Sequence, residues 1–161
     1  MDTHRATASL PWIDGPAVRA ALSPRAAVDA LEAALAAGLD PEADAPRTRV
    51  ATAAGQLLQM PSTRGTEVGT KLVTLTPDNP ERGLPVIQGV YVLFGAPGAP
   101  GQAPRAVLDG VELTGLRTSA VSTLGVRLLA DASPRHLVVF GTGVQALSLI
   151  HISEPTRQAE I

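Results

Sequence analysis

Residues 104–130, PRAVLDGVELTGLRTSAVSTLGVRLLA, change hydrophobic period midway. Pro104 to Leu108 is a short apolar run behind a Gly/Pro-rich turn, which predicts a strand. From Thr114 the apolar residues Leu116, Ala120, Leu124 and Leu128 recur at helical spacing, which predicts a helix ending near Asp131. Strands in succession followed by a long helix predict an α+β fold with an antiparallel sheet.

Upstream of this stretch, Arg47 to Thr52, Gln56 to Met60, Glu67 to Thr76 and Pro85 to Phe94 are predicted strands. Turn residues separate them at Ala54-Gly55, Pro61 to Gly65, Pro77 to Gly83 and Gly95 to Gln102, the last holding a hairpin loop in APGAPGQAP, 96–104. Connections this short favour antiparallel neighbours in a curved or barrel-like sheet. Earlier still, Leu10 to Asp14 is a short strand, and Pro16 to Ala37 an Ala-rich helical region broken at Ser23-Pro24. Ser23 is a fitting N-cap with Pro24 at the first helical position, Gly38 closes the helix, and Val28, Leu31 and Leu35 share one face.

Downstream, Ser133-Pro134 marks a boundary, and His136 to Phe140 is a short apolar strand feeding Gly141-Thr142-Gly143-Val144-Gln145-Ala146. A glycine pair after a buried strand, with a small residue at the third position, fits the G-x-G-x-x-G/A turn that seats a pyrophosphate on a helix N-terminus. A tight strand-to-helix turn without nucleotide is the alternative, and the acidic ribose partner would fall beyond Ala146.

Up to Ala146 the isoleucines are Ile13 and Ile87; residues 147–161 add Ile150, Ile152 and Ile161. Within that tail, LSLIHISEPTR resembles the translation of a transposon-end sequencing adapter. The expectation is a non-native tail, with Glu154-Pro155 ending any helix and His151 and Glu154 carrying no function. The expected division is 1–133 as one domain, 134–146 as the opening of a second, and 147–161 as tail.

Composition narrows the function. A chain of 161 residues, 45% apolar, suffices for one domain with its own core but not for two complete ones. A net charge of -2 without a basic run offers no footprint for nucleic acid or an anionic membrane. Without cysteine there is no disulfide framework or thiolate metal site. With no signal-peptide pattern or membrane-length apolar run, a cytoplasmic protein is expected, and no metal site is.

Four cations could carry chemistry. All 13 basic residues except Lys71 are arginines, so a position that stays lysine suggests a need for an ammonium. Lys71 sits mid-strand, where its stem can lie on the core or, alternatively, at a solvated edge. Arg47 and Arg49 alternate with Thr48, share a face, and either could fork onto a carboxylate. Arg117 is expected in the first turn of its helix, where a cation opposes the helix dipole and a bound anion, helped by Thr118 and Ser119, would relieve the cost. Pairing of Arg117 with Asp109 or Glu112 is the alternative.

Taken in order, PRTRV at 46–50, QMPS at 59–62, GTKLVTLTPDNPERGLPVIQG at 69–89, the LDG-x-x-LT-x-x-RT block within 106–130 and LVVFGTGVQA at 137–146 resemble the ornithine cyclodeaminase/mu-crystallin family. The resemblance implies an N-terminal α+β domain for substrate binding and dimerisation, followed here by the first strand and turn of a truncated Rossmann domain for NAD or NADP. It implies a small amino-acid or cyclic imine substrate and a homodimeric parent. Matched residue by residue, Arg47 (or Arg49), Lys71 and Arg117 correspond to positions holding the substrate carboxylate, with Lys71 assisting proton transfer. Arg117, Thr118, Gly141, Gly143, Val144 and Gln145 correspond to cofactor contacts. Val86 stands where ornithine cyclodeaminases carry a hydroxyl, and their acidic amine-binding residue would lie beyond Ala146. Both departures count against strict ornithine chemistry. The expected activity is that of an amino-acid or imine oxidoreductase or cyclodeaminase, the chain alone being inactive; a non-catalytic ligand binder of the mu-crystallin type is the alternative.

Overall fold

In the computed structural model, residues 9–95, 102–131 and 135–153 are described, so the leader 1–8, the loop 96–101, Ser133-Pro134 and Glu154-Pro155 lie outside the described residues. The chain divides into two compact units, one of residues 1–14 and 44–110, the other of 15–43 and 111–161. These are contact bodies and interleave along the chain, unlike the sequential segments 1–133, 134–146 and 147–161.

The first unit is one six-stranded sheet. Its strands are β1 (Trp12–Ile13), β2 (Thr48–Thr52), β3 (Gly55–Arg64), β4 (Glu67–Leu75), β5 (Ile87–Phe94) and β6 (Pro104–Asp109), in the order β1-β6-β5-β4-β3-β2. Strands β2 to β6 form an antiparallel meander, as their short connections require. β1 departs from the expected pattern by joining β6 in parallel, which its long separation in sequence permits. β3 also runs past its expected end at Met60: Pro61 pairs with Thr70, and the turn moves to Gly65, whose φ of 59° suits glycine. Between β4 and β5 the buried Asn79 donates its side-chain amide to the Pro85 carbonyl at 2.8 Å, fixing the turn.

Two glycines bring backbones together at the end of β6. A Cβ on Gly110 would lie 2.8 Å from the Gly89 carbonyl carbon, and a Cβ on Gly89 would lie 2.5 Å from the Leu72 oxygen. Only glycine at both positions allows this approach.

The second unit is helical: α1 (Gly15–Ala21), α2 (Pro24–Ala36), α3 (Gly110–Leu129, of which residues from Val111 belong here) and α4 (Val144–Ser153). Ser23 caps α2, its hydroxyl accepting from the Ala26 amide at 3.2 Å, and Gly38 closes it at φ 87°. The core is small: Ala27, Val28, Ala120 and Leu124, with Leu22, Leu31, Leu116 and Ile152 packed around it. The expected stripes drift at their ends, for Leu35 and Leu128 are exposed while Ala27 and Ala34 are buried. Arg127 of α3 donates to Asp29 at 3.0 Å and Glu32 at 2.6 Å on α2.

Two expectations are corrected. α3 begins at Gly110 rather than near Thr114, directly after β6. Residues His136 to Phe140 form no strand; Val138 is 71% and Phe140 96% exposed. A strand needs a neighbour to satisfy its backbone, and among the described residues this run has none. No described helix is long and apolar enough to cross a membrane.

Replacing Gly110 by alanine should lower the unfolding free energy by about 1–3 kcal/mol, because the methyl meets backbone. Gly115→Ala, where a methyl meets nothing within 4 Å, should raise it by about 0.5–1 kcal/mol. Urea midpoints measured at unchanged slope distinguish the two. Phe140→Lys should reduce light scattering on concentration by removing an exposed aromatic from an apolar run.

Candidate functional site

Strand registers decide which cations in the sheet unit meet. Met60 pairs with Lys71, Lys71 with Tyr91, and Tyr91 with Leu108, so these four side chains form one row on one face. Arg47, exposed, lies one residue before β2 and the first pair of its ladder, Thr48↔Gln59; continued by one residue, that register points it toward the row beside Met60. Two strand spacings, roughly 10 Å, separate Arg47 from Lys71. Arg49 lies on that face too, in the neighbouring row through Leu58 and Val73. Val73 and Ala106, the buried apolar residues of this unit, share the face, so Lys71 rises half-buried from its more covered side.

Tyr91 was not singled out from sequence. A Cβ at Gly69 would collide with the Tyr91 hydroxyl and its ring carbon Cζ, so the phenol tip lies directly over Gly69. Glu67, Gly69 and Lys71 alternate along β4, so that tip falls between a carboxylate and an ammonium on one face. Burial, and then the charges of Asp44 and Glu67, push the phenol above its ordinary value, keeping it a neutral donor. The signal for it was indirect: the chain's one tyrosine, at a strand position whose partner becomes known only with the register.

The helical unit holds the other predicted residues. Arg117 is exposed and stands two turns inside α3 rather than in its first turn. The argument that it opposes the helix dipole therefore fails, since that field fades within the first turn. Thr118 is half-buried and its carbonyl accepts from the Ser122 hydroxyl at 3.1 Å. Ser119, also expected near an anion, is buried and donates to the carbonyls of Gly115 at 2.8 Å and Leu116 at 3.1 Å. Glu112 pairs with Arg19. Val86, in the sheet unit, lies in the turn before β5, where its carbonyl accepts from the Thr76 amide at 2.9 Å.

The Gly141-Thr142-Gly143 turn leads into α4 at Val144, with Gly141 at φ 109°. A Cβ at either glycine would meet nothing within 4 Å. Open space ahead of a helix N-terminus fits a pyrophosphate, the Ala146 amide of the first turn being given to the Gly143 carbonyl at 3.0 Å. The absent strand 136–140 does not, since it should aim that turn. The Gln145 Oε1 is shut from solvent without a hydrogen-bond partner among the described residues. A cavity of about 300 Å³ in this unit is lined mainly by apolar residues, including Leu22, Val111, Leu116 and Ile152; of the predicted site residues only Val144 reaches it.

The model of the ornithine cyclodeaminase/mu-crystallin family matches residues 16–159. Delta(1)-pyrroline-2-carboxylate reductase 2 of Burkholderia ambifaria is 42% identical over 92 residues, 57% of this chain and 29% of that protein. An archaeal alanine dehydrogenase dimer with bound NAD superposes with a TM-score of 0.77 at 25% identity, over 89% of this chain and 44% of that one. Thermococcus litoralis Delta(1)-pyrroline-2-carboxylate reductase, in complex with NADH and L-proline, gives a TM-score of 0.74 at 25% identity over 89% and 45%. The chain thus spans under a third of the length of that curated relative and under half that of those structures.

Because this is the chain's one tyrosine, phenolate absorbance should rise with a midpoint above the ordinary value of 10.0. The unfolded chain then loses this proton first, so stability should be unaffected below that value and fall as pH climbs from it through the folded midpoint. An unshifted titration would contradict the burial of Tyr91.

Proposed function

We propose, from the premise that this chain belongs to the ornithine cyclodeaminase/mu-crystallin family, that it is the carboxylate-holding portion of a nicotinamide-dependent reductase of cyclic imino acids. The observation that carries this reading is the half-buried Lys71 in the row it forms with Met60 and Tyr91, toward which the register of β2 extends Arg47. The similarity to pyrroline-2-carboxylate reductases supplies the substrate class, a five-membered cyclic imine bearing a carboxylate. Residues 134–146 would open the dinucleotide-binding part and 147–161 would be foreign to it, so the chain by itself should show no turnover and weak cofactor affinity. The parent is proposed to be a homodimer.

The division of labour follows from side-chain chemistry. A guanidinium presents parallel N–H donors that match a carboxylate, so Arg47 fixes the plane and direction of a bound imino acid. From its match to the family's motif, Arg117 of the helical unit is proposed to take part in carboxylate and cofactor binding, with Thr118 beside it. Lys71, a point charge with a mobile stem, holds a proton near the imine nitrogen and favours the iminium. Held this way, the carbon next to the carboxylate keeps one face for attack, which is how orientation lowers a barrier. Gly141, Gly143, Val144 and Gln145 would hold the pyrophosphate end of NAD or NADP, which when bound supplies the hydride.

The test uses the longer parent chain. Lys71→Met should cut reduction of the cyclic imine by about 10²-fold or more, while Arg47→Lys should chiefly raise KM. If Lys71→Met leaves turnover unchanged, the reductase reading is wrong. If the parent has no turnover at all yet binds imino acids with or without Lys71, the mu-crystallin type of ligand binding takes its place.

A further inference from the structure

On the face that carries Lys71, side chains stand in rows across the strands, successive rows lying about 7 Å apart. The row of Met60, Lys71 and Tyr91, toward which Arg47 is extended, has a neighbour on either side. One is Leu58, Val73 and Gly89; the other is Ser62, Gly69 and Leu93. Val73 is buried, and a side chain that water does not reach offers no surface to a substrate. A molecule held over Met60 can therefore spread along the strands only toward the other row. There β3 and β4 supply little bulk, for Ser62 has a short side chain and Gly69 has none. The space over Gly69 is filled from β5 instead, by the phenol tip of Tyr91 leaning out of its own row. Burial, and then the charges of Asp44 and Glu67, keep that phenol protonated, so the tip sets no negative charge beside a bound carboxylate.

From this placement we infer that Tyr91 is a specificity-determining residue: its ring tip, lying over Gly69, is the wall that limits the site to a five-membered ring. Gly69 is its structural complement, because any Cβ there collides with the tip. The inference rests on reading this row as the seat of a cyclic imino acid. It depends on the bulk over Gly69 and not on what Lys71 pairs with. A pocket wall separates ligands that differ by one methylene by roughly 10-fold to 200-fold. The hydroxyl oxygen is the outermost atom of the wall, so its loss alone opens part of the space that one more ring methylene needs.

The test is a ratio of affinities in the longer parent chain. With reduced nicotinamide cofactor in excess, so that neither acid can react, the protein is titrated by calorimetry with L-proline and L-pipecolate, the saturated five- and six-membered ring acids. Tyr91→Leu, which ends short of Gly69, should shift the affinity ratio toward pipecolate by about tenfold, and Tyr91→Phe, which removes one tip atom, by about threefold. A hydroxyl that served instead as a hydrogen-bond donor to the shared carboxylate or amine would weaken both acids alike. Loss of both affinities in equal proportion, or a ratio that stays put in both variants, overturns the inference. Should circular dichroism show Tyr91→Leu to be unfolded, Tyr91→Phe decides alone, since it keeps the ring. A wild type that binds neither acid overturns the reading of the row and this inference with it. A wild type that binds proline, with a ratio indifferent to residue 91, overturns the inference and leaves that reading standing.

Discussion

The contact on which the sheet's far edge depends is one between two backbones. Gly110 follows the pair Val90↔Asp109 and lies against Gly89 of the neighbouring strand, and Gly89 against the Leu72 carbonyl of the next, with no room for a Cβ at either glycine. At that point β6 passes into α3 without a loop, the last strand residue being Asp109 and the first helical one Gly110. The glycines of two separate motifs, LDG and VIQG, therefore have one explanation.

The sheet face that bears the cations is ordered by register, and register is a long-range property. Once β3, β4 and β5 are aligned, Met60, Lys71 and Tyr91 must stand in a row, and a slip of any one strand by one residue would send its member to the other side. The chemistry of Lys71 is thereby tied to turns distant in sequence, including the one that Asn79 holds shut.

Local signals were legible without the structure. The Ser23 cap, the Gly38 termination and the meander strands all follow from residue types within a few positions. The start of α3 was not, because Gly110, Val111 and Glu112 carry no periodic signature of a helix. Nor was the fate of His136 to Phe140, whose apolar character specifies a strand only if another strand lies alongside. Lys71 and Arg47 could be picked out by type and alternation, whereas Tyr91 became visible only through its partner across the sheet. Family resemblance named the residues, and the register extends Arg47, just ahead of β2, toward the row that holds Lys71.

Helices α2 and α3 meet mainly through alanine, valine and leucine, which exclude water but tolerate rotation about the helix axis. Arg127 adds the missing direction by gripping Asp29 and Glu32, neighbours on one face of α2. Its hydrogen bonds to both carboxylates hold the guanidinium charged even more firmly than usual, so no alkaline titration loosens the grip. Dissolved ions can, since such an exposed arrangement is open to screening. Rising ionic strength therefore weakens this tie between the two helices, while the apolar contact beneath it is nearly indifferent to salt.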